Sequence, residues 1–285
     1  MSITSSAVLV GLSISVWTAN KLDRATTNDV LATNHAVREA GQFRKNLMAG
    51  STLRKEIADY ATACRNWHAY HTSPWSDRGP RLLPTSAFIA YKAELNERRL
   101  RFEGMVDKFC AFYPDWLDKQ MQNSSLGNLF DPADYPSVEE LRGKFGFYPT
   151  FSPLPESGDF RIDVPARELS DLRREYEREF NARLTDAMRE PWQRLHTVLS
   201  AMSAKLHDVE GEEKKRYHET LVTNATSLCA VLTHLNITKD PQLEAARREL
   251  ENLMHGVTIE DIKESPALRS ELKTKVDNIL NGYEW

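Results

Sequence analysis

Cys64, His68 and His71 stand at i, i+4 and i+7, a spacing that puts one thiol and two imidazoles on the same face of a helix. Such donors hold zinc when a remote Asp, Glu or His closes the tetrahedron. No second ligand pair follows at a recognised spacing, so the expectation is that these side chains pack or cap and that no metal is bound. A larger constellation surrounds them: Arg44, Lys45, Arg54, Lys55, Arg65, Arg78 and Arg81 are interleaved with Trp67, Tyr70 and Trp75. Cations that neutralise phosphates beside rings that stack on bases are the chemistry of single-strand binding. The candidate nucleic-acid contacts are therefore Arg44, Lys45, Arg54, Lys55, Arg78, Arg81 and Trp75. A third cluster, Arg173 to Glu179, resolves into intrahelical pairs, with Glu175 three residues before Arg178 and Glu179 four before Arg183. The chain carries no phosphate loop, dinucleotide fingerprint, nucleophile elbow or HExxH, so neither a catalytic residue nor a cofactor is expected.

Charge is unevenly placed along the 285 residues, whose formal sum is −4. Residues 1 to 84 carry ten Lys and Arg against six Asp and Glu, whereas 85 to 160 carry eight against twelve and 209 to 285 ten against fourteen. A polyanion would thus meet the first third of the chain. The three cysteines, Cys64, Cys110 and Cys229, are scattered and odd in number, which fits a reducing cytoplasm. The apolar run Ala7 to Trp17 has no basic segment before it and is broken by Ser13 and Ser15, unlike a signal peptide. No stretch is long enough to span a membrane.

The elements that position these residues are mostly helical. Leu169, Leu172, Tyr176, Phe180, Leu184, Met188, Trp192, Leu195, Leu199, Met202 and Leu206 recur every three or four residues, predicting one long helix from Pro165 to Asp208 with a bend at Pro191. A second long helix starts at Thr85, where Phe88, Leu95, Phe102 and Phe109 fall seven apart, and Pro114 restarts or kinks it. Earlier helices are predicted over Ala19 to Ala40 and Ser51 to His71, and later ones over Glu212 to Leu235, Pro241 to His255 and Ala267 to Leu280. Ser137 to Glu140 has capping-box spacing, and Asp240-Pro241 and Ser265-Pro266 read as helix starts. Val8 to Trp17 reads as a strand, and Phe145 to Phe151 with Phe160 to Val164 as a hairpin whose Pro149 calls for an edge. Thr72 to Pro84, with three prolines and a glycine, reads as a structured loop.

The predicted fold is mainly α with a small antiparallel β-sheet, built on an elongated, coiled-coil-like helical hairpin plus a helical bundle. A boundary near Val209 divides residues 1–208 from a C-terminal helical region, 209–285. Eleven large side chains on one stripe exceed what one hairpin partner covers, so self-association is expected through Phe180, Leu184 and Leu195.

The strings Pro74-Trp75-x-Asp77-x-Gly79-x-Arg81-Leu82-Leu83-Pro84, Asp134-Tyr135-Pro136-Ser137 and Gly158-Asp159-Phe160-Arg161 resemble a family of uncharacterised bacteriophage and prophage proteins. The likeness spans most of residues 7 to 210. It implies a cytoplasmic phage product, sometimes encoded near AAA+ ATPase genes, and it transfers no catalytic residue. Two long helices around a small sheet also look like the Gam-type DNA-end protectors of phages, by architecture alone. The functional expectation is a non-enzymatic, homo-oligomeric interaction or scaffold protein acting on a host or phage macromolecular machine, through a host or phage protein partner. DNA or RNA binding through the basic first third is the alternative.

Overall fold

The computed structural model describes residues 5–77, 79–155, 165–207 and 216–285. Chain order runs β1 (Ala7–Ser15), β2 (Asn20–Leu22), α1 (Arg24–Thr33), β3 (Arg44–Asn46), α2 (Leu53–Tyr70), β4 (Ser73–Pro74), β5 (Arg81–Pro84), α3 (Phe88–Gln122), α4 (Val138–Arg142) and β6 (Gly146–Pro153). There follow α5 (Ala166–Leu206), α6 (Thr220–Leu235), α7 (Pro241–Met254), α8 (Ile259–Glu264) and α9 (Pro266–Gly282). The fold is mainly α with a small antiparallel sheet, as the patterning predicts.

The main sheet has the order β4-β5-β1-β6. The run Leu9-Val10 supplies its centre, with Leu9 opposite Leu82 and Val10 opposite Arg81 on β5. Gly11 is needed where β1 meets β6, because a Cβ there would stand 2.6 Å from the Thr150 hydroxyl. Pro149 lies on a strand at the sheet's edge among the described residues, where a missing N–H costs no ladder bond. The expected second hairpin strand, Phe160 to Val164, and the boundary near Val209 lie outside the described residues. The Thr72 to Pro84 segment is not all loop: its ends form β4 and β5, paired antiparallel with Ser73 opposite Leu82.

The chain divides into two compact units, each discontinuous in sequence. One comprises Met1–Gly11, Ala69–Tyr91 and Thr150–Trp285; the other comprises Leu12–His68 and Lys92–Pro149. In the first, α5 packs chiefly on α9 and α6. From Trp192 on, the long apolar stripe is thus covered by a C-terminal bundle and not by the expected hairpin partner. Leu195, Leu199, Met202 and Leu206 share one core with Leu228, Leu232, Leu250, Val276 and Ile279, so the end of the long helix and the C-terminal helices fold as one body. A smaller core joins Leu9, Leu82, Trp75 and Leu154 to Ala187 of α5, with Phe180 and Leu184 packed against it. Helices α3 and α5 run through Pro114 and Pro191, each forfeiting one backbone bond. Both proline-led starts and the Ser137–Glu140 capping box form as expected.

The second unit has an aromatic core. Trp17, Phe109, Tyr113 and Trp116 succeed one another at ring separations of 6.2–6.5 Å, and Phe145 and Phe147 close it against Phe109 and Phe102.

Leu199 is fully buried on α5, so Leu199→Ala should leave a cavity and destabilise the first unit by about 2–5 kcal/mol. Chemical denaturation followed by circular dichroism should show a lowered midpoint at unchanged native helicity.

Candidate interaction surface

Between β2 and β3, within the second unit, the chain runs out and returns. The two strands pair antiparallel, Lys21 opposite Lys45, and close a stem from which residues 24–43 project as an arm. This segment was expected to be one helix to Ala40. It forms instead ten residues of α1 and a single turn at Arg38–Ala40, because its few apolar residues have no core to stripe against. No residue of 24–43 is buried. Asp23 caps α1 by accepting from the Thr26 N–H at 2.9 Å, and Thr27 ties the arm shut, its hydroxyl accepting from the Phe43 N–H at 3.0 Å.

The far end of α1 is held by a left-handed residue. His35 has φ +51°, its N–H donates to Ala32, and the Ala36 N–H donates to Leu31 at 2.9 Å, the double bond pattern of a Schellman stop. That position favours glycine, so the side chain is kept at a conformational cost. The stop folds the chain back over the helix. Thr27, Val30, Leu31, Ala36, Ala40 and Phe43 then line an apolar hollow of about 390 Å³. Beside it Val30 is 50% exposed and Val37 70%, which makes the arm a presented surface and not a packed element.

The root of the arm is ionic. Lys45, on β3, is buried; its ammonium pairs with Asp134, stands 3.5 Å from Asp23 and donates to the Leu129 carbonyl at 3.1 Å. Lys21 pairs with the same Asp134 from the solvent side. Burial pushes the Asp134 carboxyl up, but hydrogen bonds and charge from Lys21 and Lys45 outweigh it, and the net position is below the ordinary 3.8. Burial likewise pulls Lys45 down, and the two carboxylates more than reverse this. The loop bearing Asp134 is fixed by the aromatic core: Tyr135 rests on Trp116 and Phe130, and the Tyr113 hydroxyl donates to Pro136 at 3.0 Å.

Lys45 is therefore corrected from a nucleic-acid contact to a structural cation. Arg81 is corrected in the same way. Its guanidinium donates to the Thr72 hydroxyl at 2.7 Å and to the Ala69 and Thr72 carbonyls, where Arg194 also donates. Two arginines thus satisfy the carbonyl groups left open at the end of α2, with Glu190 as counter-ion to both. Trp75 is 6% exposed and sits edge-on to Phe180, so it cannot stack on a base. Arg54 donates to the Trp17 and Thr18 carbonyls. Arg44 and Lys55 are exposed, and Arg78 lies outside the described residues. Of the described candidates, Lys45, Arg54, Arg81 and Trp75 are engaged by contacts within the chain.

Leu195 is fully buried inside its own chain, and Phe180 and Leu184 are half-buried against the smaller core. Leu195 is not available to a second copy. Cys64 and His68 are buried on α2, His71 packs against Tyr70, and no group of three His, Cys, Asp or Glu side chains converges among the described residues. The Glu179–Arg183 pair forms as expected. Among the described residues every carboxylate with a displaced pKa is displaced downward, by ion pairs or helix-cap bonds, while burial raises the Cys110 and Cys229 thiols, the latter to about 11. General bases and nucleophiles need the opposite displacements. No protein-family model, curated protein or solved structure matches this chain.

Asp134→Asn leaves a buried ammonium short of a counter-charge and should cost about 3–5 kcal/mol in urea denaturation, whereas Asp134→Leu combined with Lys45→Met should recover most of that loss. The pH dependence has a defined sign. Asp134 titrates below 3.8 when folded, so its contribution is complete above that value and is lost as pH falls through the folded value. Lys45 titrates above 10.5, so its contribution is complete below 10.5 and fades as pH rises past the folded value. Stability should be level between these limits, and Asp134→Asn should flatten the acid limb. Separately, His35→Gly should stabilise the arm by about 1 kcal/mol through relief of the left-handed conformation, read as slower hydrogen exchange of the α1 amides.

Proposed function

We propose that this chain is a non-enzymatic interaction protein whose contact surface is the arm at residues 24–43. The observation that carries the reading is α1 itself, ten residues of helix none of which is buried. A helix that short is marginal in water and draws its stability from packing on an apolar face. The apolar side chains of this one, Val30 and Leu31, face an open hollow, which is the condition of a surface completed by another macromolecule. Its rigid root fits the same role, since a contact surface held by a buried ion pair and an aromatic core keeps its geometry before the partner arrives.

The displaced pKa values support a non-catalytic chain, and the consumption of Lys45, Arg81 and Trp75 in internal contacts favours a protein partner over a nucleic acid. Three buried free cysteines suit a reducing compartment, and no described helix is long and apolar enough to cross a membrane. The phage or prophage origin that the sequence resembles, and action on a host or phage machine in the cytoplasm, belong to this proposal.

A photo-crosslinking residue at Val37 should trap a protein in expressing or infected cells, in yield unaffected by nuclease, while the same residue at Ile89, 77% exposed on α3, should trap none. A nuclease-sensitive adduct at Val37 would favour the nucleic-acid reading, and equal trapping at both positions would remove the arm from consideration.

A further inference from the structure

We infer that the first unit carries a binding site for a methylated ammonium group, formed by the rings of Trp192, Tyr283 and Trp285. All three lie in residues 150–285, so the site is independent of the arm. Trp285 comes back from the end of α9 onto α5. Its indole N–H donates to the Leu280 carbonyl at 2.7 Å, and its ring lies 5.4 Å from Trp192, 5.1 Å from His196 and 6.3 Å from Tyr283. The plane of Trp285 stands at 83° to Trp192 and 71° to Tyr283, whose own rings are 5.8 Å apart. Rings that meet at such angles form the walls of a corner, and each wall carries its negative charge on its face. Walls of this kind take up methylated ammonium groups.

The corner is backed on one side and open on the other. Trp192 and Tyr283 pack against the core that α5 shares with the C-terminal helices, whereas Trp285 stays 40% exposed. The polar tips of the two backed rings are tied off: the Trp192 indole N–H donates to Asp240 at 3.1 Å and the Tyr283 hydroxyl to Glu249 at 2.8 Å. Burial first, and Glu249 second, push the Tyr283 phenol up to about 12, so it remains a neutral donor. The walls are thus held before a ligand arrives, which limits what is lost in ordering them.

Charge selects the occupant. Asp240 and Glu249 stand at the polar edges of the rings, and Glu284 lies between Tyr283 and Trp285 in the chain. Of the basic residues next to them in sequence, Arg248 is taken by Glu244 at 2.6 Å, which leaves Lys239 against three carboxylates. Among the described residues the chain lays its own arginines over Trp67, Tyr60, Tyr70 and Tyr217, and not over these three rings. A lysine-like ammonium would also need acceptors for its N–H groups. Here one oxygen of Asp240 already accepts from Trp192, its other oxygen accepts from the Gln242 N–H at 2.9 Å, and Glu249 accepts from Tyr283. A methylated ammonium asks for no acceptor; it meets the rings through its methyl groups and the carboxylates through charge alone.

The test titrates the full chain with choline chloride in the millimolar range at constant ionic strength, following the indole N–H resonances by NMR. Saturable shifts are expected at Trp192 and Trp285. The uncharged isostere 3,3-dimethyl-1-butanol should bind about tenfold more weakly or worse, since it lacks the attraction of a cation to the rings. Trp285→Leu should abolish the Trp192 shift while leaving circular dichroism unchanged, because the side chain it replaces is exposed. Glu249→Gln keeps an acceptor for the Tyr283 hydroxyl but removes the charge, and should weaken choline about threefold. Equal binding of choline and its isostere would mark a merely apolar site and overturn the inference. So would the absence of saturable shifts, or saturation that survives Trp285→Leu. A peptide bearing one trimethyl-lysine separates the two sources of the group: tighter binding than choline assigns it to a protein side chain, and equal or weaker binding to a free small molecule, with the site upheld in both cases.

Discussion

The buried ammonium of Lys45 is the constraint on which the rest of the second unit turns. A charge withdrawn from water is tolerated only where counter-charges and acceptors are already in place. Here they come from two separate parts of the chain: Asp23 at the start of α1, and the loop between α3 and α4 that carries both Asp134 and the Leu129 carbonyl. Satisfying one side chain therefore fixes the stem of the arm, the entry to its helix and the loop beneath it together. The aromatic core supplies the other half of the arrangement, because Tyr135 and Pro136, the two residues after Asp134, are held by Trp116, Phe130 and Tyr113. Apolar packing positions the carboxylate, and the carboxylate positions the arm.

A parallel device operates in the first unit. The end of α2 leaves open carbonyl groups, and Arg81 and Arg194 converge on them from β5 and α5 with Glu190 between. Elements distant in sequence are again joined by cations that the composition alone would assign to the surface. In both places a positive charge of the first third of the chain, Lys45 or Arg81, is spent on holding the fold.

Local signals were legible in the amino-acid sequence. The β-branched run at Val8, the capping box at Ser137 and the proline-led starts at Pro241 and Pro266 each depend on neighbours a few residues away, and each element forms where those residues place it. Strand β5 was missed because the three residues between Pro80 and Pro84 carry no periodicity, and their strand character comes from pairing with β1 and β4. Helix α8 was missed although Thr258 and Asp261 make a reciprocal cap, a spacing that a closer reading of Thr258 to Asp261 would find. Of the arm only the helix was legible, α1 lying inside the helix expected over Ala19 to Ala40. The arm's shape depends on Lys45 meeting Asp134, a pairing between residues far apart in sequence, and on His35 adopting a conformation that its residue type does not announce. The partners of the long stripe were misassigned for the same reason: periodicity shows that a helix face is covered, and only the topology shows by what.

The pairing of β1 with β5 sets a schedule for the newborn chain. Val8, Leu9 and Val10 leave the ribosome more than seventy residues ahead of their partners Leu83, Leu82 and Arg81. At roughly 5–20 residues per second the apolar strand waits several seconds without a neighbour on that side. Such a segment, rich in β-branched residues and poor in charge, is of the kind that pairs indiscriminately with other unpaired strands. Yield on overexpression should therefore be governed by translation speed and by chaperones that shield this first strand, more than by the equilibrium stability of the finished protein.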